Sequence, residues 1–326
     1  MAIDFGLLLL GGLLLYFGAE WLVRGAAGIA SSLGVRPLVI GLMVVAYGTS
    51  APELAVGVRA ALSGKSDLAF GNAIGSNIAN LGLILGATAL VAPPAVDPSL
   101  IRREVPVLVA STLLVPLAML DGRLAPWEGL CLVALALVYT VHAVRSARAV
   151  AAAPADSPQA AVAATAEAEA VGSADRPAGR AALGTLAALG LALLVGGGDL
   201  FVRGATGLAR ALGLSDRLIG LTVVAVGTSL PELAASLVAA LRGHGAIAVG
   251  NVVGSNIFNL LLILGAAGAV RGVDVDPRSA RLDLLALLGF TLFAAVALRG
   301  DRRISRPEGA LLLAGYVGFV LALVAS

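Results

Sequence analysis

Charge, cysteine and histidine are all scarce in this chain, and each scarcity removes a class of function. Only 13% of the 326 residues are charged, and the formal net charge is +2. That is too little for a nucleic-acid partner, which is gripped by clustered Lys and Arg. The single cysteine, Cys131, lies in an apolar run and can form no internal disulfide, so it says nothing about redox compartment. The two histidines, His142 and His244, fall at the ends of apolar segments, where neither is placed to act as a base, and no zinc motif occurs. "GTSAP" (48–52) superficially resembles the turn around a nucleophilic serine, but the second glycine of that turn is missing. Enzyme chemistry is therefore disfavoured. The opening "MAIDFGLLLL" has an acidic residue and no Lys or Arg before its hydrophobic stretch, which argues against a cleaved signal peptide.

What the chain does have is apolar surface. Hydrophobic residues make up 59% of it and the mean hydropathy is +0.98. A soluble domain averages roughly 45–50% apolar and about 25% charged residues. Runs of about 20 apolar residues recur along the whole length, the pattern of a polytopic, all-α membrane protein surrounded by lipid.

The two halves repeat at an offset of 179 residues. "GAEWLVRGAAGIASSLG" (18–34) matches "GGDLFVRGATGLARALG" (197–213), and "GNAIGSNIANLGLILGA" (71–87) matches "GNVVGSNIFNLLLILGA" (250–266). "GTS" and "PE" recur at 48–50 and 52–53, and again at 227–229 and 231–232. The spacing divides the chain into a first repeat over 1–145, a linker over 146–180 rich in Ala and Pro, and a second repeat over 181–326. The linker composition cannot build a packed core and predicts a flexible or weakly helical segment. Apolar segments fall at about 4–30, 37–62, 68–91, 104–120 and 126–145, then at about 181–209, 216–241, 246–270, 281–298 and 308–325. Five segments per half is odd, so ten helices in two inverted five-helix repeats are expected, a plan that puts substrate near the midplane. Placing both termini outside puts 13 basic residues inside and 9 outside, a modest preference for that orientation in a plasma or inner membrane.

Glu53 and Glu232 are the only acids near the centres of their segments, and no Lys or Arg shares those centres. An ionisable group at that depth costs several kcal/mol and faces a cavity or a partner. A bound cation supplies the missing charge. Pro52 and Pro231 have no N–H and displace the carbonyls of Gly48 and Gly227, freeing backbone oxygen beside each carboxylate. Thr49, Ser50, Thr228 and Ser229 add hydroxyls. Carboxylate and carbonyl oxygens together suit a hard cation such as Ca2+, and two glutamates balance its charge. Ser76 and Asn80 share a helix face, as do Ser255 and Asn259, and form a second wall. Asn72, Asn77, Asn251 and Asn256 project elsewhere and suit interhelical hydrogen bonding. Gly71, Gly75, Gly250 and Gly254 are spaced as small packing faces. Glu20/Arg24 and Asp199/Arg203 are i,i+4 pairs that anchor or latch the first helix of each half. Trp21 and Trp127 suit the membrane interface.

With "GTS-x-PE" and "GN-x-x-GSNI-x-N" each present twice and in order, the chain resembles the calcium/cation antiporter superfamily, in its prokaryotic sodium/calcium exchanger branch. The likeness covers nearly everything outside the linker. It implies secondary active exchange of Na+ for Ca2+ by alternating access, with the first and sixth helices moving as a pair. It implies no cofactor, only the transported ions. Carried onto this sequence, the calcium-type ligands are Thr49, Glu53, Thr228 and Glu232, the threonines through backbone oxygen. The sodium sites use these four with Ser50, Ser76, Ser229, Ser255, the backbone oxygens of Ala46 and Ala225, and Asn80 and Asn259. Some relatives carry an aspartate where this chain has Asn259, so the site here holds two formal negative charges, and three Na+ would leave it at +1 while one Ca2+ leaves it neutral. Two other classes stay open at this point: a proton/calcium antiporter, disfavoured by asparagine where that branch carries an acid, and a passive channel, disfavoured by two deep carboxylates. The sequence points to no protein partner.

Overall fold

The computed structural model describes residues 1–151, 179–213, 225–300 and 303–325, and it is almost entirely helical. The apolar segments fold as α1 (Ala2–Leu33), α2 (Pro37–Thr49), α3 (Ala51–Leu62), α4 (Ser66–Val91), α5 (Val105–Ala118) and α6 (Pro126–Ala151). In the second half they are α7 (Arg180–Ala211), α8 (Leu230–Leu241), α9 (Gly245–Arg271), α10 (Pro277–Arg299) and α11 (Arg306–Ala325). α6 runs on to Ala151, past the expected boundary at 145, and most of the linker lies outside the described residues.

Among the described residues, seven helices are long and apolar enough to cross a bilayer, or eight if the bent pair α2–α3 is one span. Two local features keep the count below ten among the described residues. α5 has only 14 residues in its apolar part, and the helical turn that leads into it, Leu100–Glu104, carries Arg102, Arg103 and Glu104. The expected segment 216–241 has its first part, up to 224, outside the described residues, which leaves the single turn Ala225–Gly227 and α8.

α1 and α7, equivalent in the repeat, lie antiparallel and nearly touch. A Cβ added to Gly11 would come within 2.5 Å of the Phe201 nitrogen, one on Gly18 within 2.7 Å of Leu194 nitrogen, and one on Gly25 within 2.7 Å of Ala187 nitrogen. As α1 ascends, its neighbours on α7 descend. Gly190, Gly197 and Gly204 return the same contacts from the other side. Glycine at seven-residue spacing lets two backbones approach where any side chain would hold them apart. The same device seats α4 on α11 through Gly86 and Gly309, and α9 on α6 through Gly265 and Gly129. Gly250 and Gly254 pack on the carbonyls of Leu38 and Leu42 as expected, whereas a Cβ on Gly71 or Gly75 meets no described atom within 4 Å.

The connections gather at two ends. At one, Arg36 pairs with Asp97 at 3.7 Å, Ile304 donates its N–H to the Pro94 carbonyl, and Ala95 bridges to Arg303. At the other, β1 (Arg123–Leu124) pairs antiparallel with β2 (Val273–Asp274), and Gly64 approaches Arg271. The interior belongs to α9, 94% buried over its most apolar stretch, and α4, at 72%; α11, at 11%, lines the periphery. Leu137 and Val138 on α6 and Leu311 and Leu321 on α11 face outward, the side-chain chemistry of a lipid-facing surface.

Candidate ion-binding site

The unusual stretch "YGTSAPEL" is a corner. α2 and α3 meet at 46° across Ser50, whose φ of −85° and ψ of 5° place it outside helical geometry. The bend falls at Ser50, two residues before the proline. Pro52 sits in the first turn of α3, where a helix needs no N–H from it. Its effect is on the helix before: it offers nothing to the Gly48 carbonyl, so α2 ends there. Ser229 repeats the corner at φ −92° and ψ 8°, between the turn Ala225–Gly227 and α8 with Pro231 in its first turn. Each carboxylate therefore hangs from the first turn of a new helix, where the axial dipole favours negative charge. The opposing end of α2 presents carbonyls, the arrangement discontinuous membrane helices use for cations.

The two corners are interleaved across the halves. Ser50 Oγ donates to Glu232 Oε1 at 2.9 Å and lies 3.0 Å from Ser255 Oγ. Thr49 lies beside the Glu232 carboxylate as well, and Ser229 beside that of Glu53 without completing a hydrogen bond. The two carboxylates are near enough to repel each other. Glu53 and Glu232 are each 1% exposed, and Thr49, Ser50, Ser76, Asn80, Ser229, Ser255 and Asn259 are buried with them. Thr228 is half-buried. The Ala46 carbonyl already accepts the Ser50 N–H at 3.0 Å, leaving one lone pair. Ala225 begins the turn that precedes Thr228.

The second wall comes from α4 and α9. Both widen into π turns that begin at the predicted asparagines, Asn80–Leu85 and Asn259–Ile263. α8 packs on the turn of Asn80, and α3 on the turn of Asn259. A π turn re-aims side chains and leaves carbonyls without their usual donors, which is why such turns recur at functional sites. Nothing in the residue pattern announced them.

Five buried oxygens in this cluster have no hydrogen-bond partner among the described residues: Glu53 Oε2, Glu232 Oε2, Asn80 Oδ1, Asn259 Oδ1 and Ser229 Oγ. Four of the five can only accept when the acids are ionised, and each buried acceptor left bare costs about 1–3 kcal/mol, more for a charge. A set of unpaired acceptors around two carboxylates fits a hard cation and no anion. Among the described residues no group of three or more His, Cys, Asp or Glu side chains gathers.

The four flanking asparagines divide. Asn72 and Asn251 cross between helices as expected, donating to the Glu53 carbonyl at 3.0 Å and the Glu232 carbonyl at 3.3 Å. Asn77 and Asn256 instead donate to Ala73 and Val252 on their own helices, so the expectation of an interhelical bond fails for this pair. At the end of the bundle Glu20 reaches Arg242 across helices at 2.9 Å, while Asp199 and Arg203 keep their i,i+4 pair at 2.9 Å.

A family model described as "Sodium/calcium exchanger protein" matches residues 3–145 and 183–325, leaving the linker unmatched. The "Putative antiporter CaxA" of Alkalimonas amylolytica is 40% identical over 321 residues, spanning 98% of both chains. "Sodium/calcium exchanger MaX1" of Methanosarcina acetivorans is 32% identical over 346 residues, spanning 99% of both. A solved structure of the sodium-calcium exchanger NCX_Mj aligns with a TM-score of 0.80 at 32% identity, over 98% of each chain.

Proposed function

The chain belongs to the sodium/calcium exchanger protein family, and from that premise we propose that it is a secondary antiporter exchanging Na+ for Ca2+ by alternating access. The observation that carries this is the pair of buried glutamates, one from each half, each with an oxygen that no group among the described residues satisfies. Ca2+ is held by Glu53 and Glu232 with the backbone oxygens of Thr49 and Thr228. Na+ uses these with Ser50, Ser76, Ser229, Ser255, Asn80, Asn259 and the carbonyls of Ala46 and Ala225.

The frame for this exchange is ten spanning helices in two inverted five-helix repeats, over 1–145 and 181–326, joined by the linker 146–180. What supports the inversion is how equivalent parts meet. Thr112 and Thr291, 179 residues apart, share a hydrogen bond at 3.3 Å, as residues on a two-fold axis would. Gly86 meets Gly309 and Gly265 meets Gly129, while α1 and α7 run antiparallel. The protein sits in the inner or plasma membrane with both termini outside. The Escherichia coli relative YrbG, 34% identical over 318 residues, is itself called an inner membrane protein.

With amides at Asn80 and Asn259 the site carries two negative charges. Three Na+ leave it at +1 and one Ca2+ leaves it neutral, so exchange is electrogenic. The test uses protein in sealed vesicles: an imposed Na+ gradient drives 45Ca2+ uptake, and an inside-negative potential alters its rate. Uptake driven by a pH gradient alone would convert the reading to proton/calcium antiport, and uptake with neither gradient would make it a channel.

A further inference from the structure

Asn251 lies on α9 one turn before Ser255, on the face turned to the site, and it is fully buried. Its amide nitrogen donates to the Glu232 carbonyl at 3.3 Å and to Ser236 Oγ at 2.9 Å, and its oxygen accepts from Thr49 Oγ1 at 3.2 Å. Both ends of the amide are thus used, which fixes its orientation. The bonds close a ring. From Asn251 it passes to the Thr49 hydroxyl, through the next peptide to Ser50, across Ser50 Oγ to the Glu232 carboxylate, and back along Glu232 to its carbonyl and Asn251. Three helices of different halves, α2, α8 and α9, meet in that ring.

From this we infer that Asn251 is a positioning residue: it sets the distance between the first-half corner and the Glu232 carboxylate without touching the ion. The Glu232 carbonyl, taken in a second bond, holds the peptide plane from which the carboxylate projects. The Thr49 hydroxyl sits between the Asn251 oxygen at 3.2 Å and the Val45 carbonyl at 3.1 Å, which ties the end of α2 to α9. The first half has a weaker version. Asn72 holds the Glu53 carbonyl, but Gly57 stands where Ser236 does, and a Cβ there would lie 3.5 Å from the Asn72 amide nitrogen.

The inference rests on the antiporter reading, and the test separates them. Na+-driven 45Ca2+ uptake is measured in vesicles holding the full chain as wild type, Asn251→Ala, Thr49→Val and the double variant. Each single change raises the KM for Ca2+ about tenfold, the scale of one lost hydrogen bond, with the maximal rate changed less than about threefold. The double variant is no worse than the worse single, because both break one ring. A wild-type KM in Asn251→Ala, or losses that multiply to about a hundredfold, overturns the inference. Should Asn251→Ala fail to fold, Ser236→Ala removes one of the two acceptors of that amide; a KM raised about two- to threefold supports the ring, and an unchanged KM overturns it. Wild-type vesicles that take up no Ca2+ under either gradient overturn the antiporter reading and this inference with it.

Discussion

Ser50 Oγ and Glu232 Oε1 lie 2.9 Å apart although 182 residues separate them. A hydroxyl from the corner of one half completes the carboxylate of the other, so neither half owns a finished site. Ser50→Ala removes the hydroxyl that donates to the Glu232 side chain and the contact with Ser255. Hydrogen bonds to charged groups are worth about 1.5–3 kcal/mol, or roughly ten- to a hundredfold in an equilibrium constant. The apparent affinity for Ca2+ in vesicle uptake falls by that amount; an unchanged affinity means the serine is only a helix corner.

The buried acids should show opposite effects on transport and stability. Glu53→Gln and Glu232→Gln each abolish 45Ca2+ uptake. Each also removes an uncompensated buried charge, and losing such a charge stabilises a fold. In ion-free detergent solution the thermal midpoint of either variant is equal to or above that of wild type. A variant that unfolds early, or one that still transports at full rate, contradicts the assignment.

Asn259→Asp adds a third carboxylate beside two that already repel. Three buried anions cannot stay ionised at the cost of two. Acid inhibition of Na+-driven flux therefore sets in at higher pH in this variant than in wild type, read from the two pH profiles. Identical profiles would place Asn259 away from the carboxylates.

The seam between α1 and α7 gives a paired test. A Cβ on Gly18 would sit 2.7 Å from Leu194 nitrogen, whereas one on Gly12 meets nothing within 4 Å. Gly18→Ala forces two backbones apart, an overpacking cost of about 1–3 kcal/mol, and lowers the thermal midpoint by several degrees. Gly12→Ala leaves it unchanged or raises it, since alanine is the better helix former. Equal effects would mean the seam is not as tight as these contacts imply.

Much of this was legible before any coordinates. The duplicated "GTS-x-PE" placed both acids at the ends of interrupted helices, because proline and a mid-segment carboxylate leave few other readings. The exact place of the corner was not legible: the helix breaks beside Pro52, and the non-helical dihedrals fall on Ser50, two residues earlier. Proline is conspicuous in a sequence; the dihedral of a serine is not. The π turns at Asn80 and Asn259 were invisible for a related reason, since one extra residue in a turn leaves the apolar period nearly intact. The cross-half bonds of Ser50 and Asn251 depend on helix docking, which no local pattern encodes. The expectation of a segment at about 104–120 met a helix at Val105–Ala118, with the charged turn Leu100–Glu104 ahead of it.

The central claim is that Glu53 and Glu232 jointly hold a cation that Na+ can displace. Equilibrium 45Ca2+ binding to the purified full chain, titrated with Na+ and repeated on Glu53→Gln and Glu232→Gln, tests it most directly. The account predicts saturable binding to wild type, released by Na+, and absent from both variants. Binding that survives in either variant, or that Na+ leaves untouched, would contradict it.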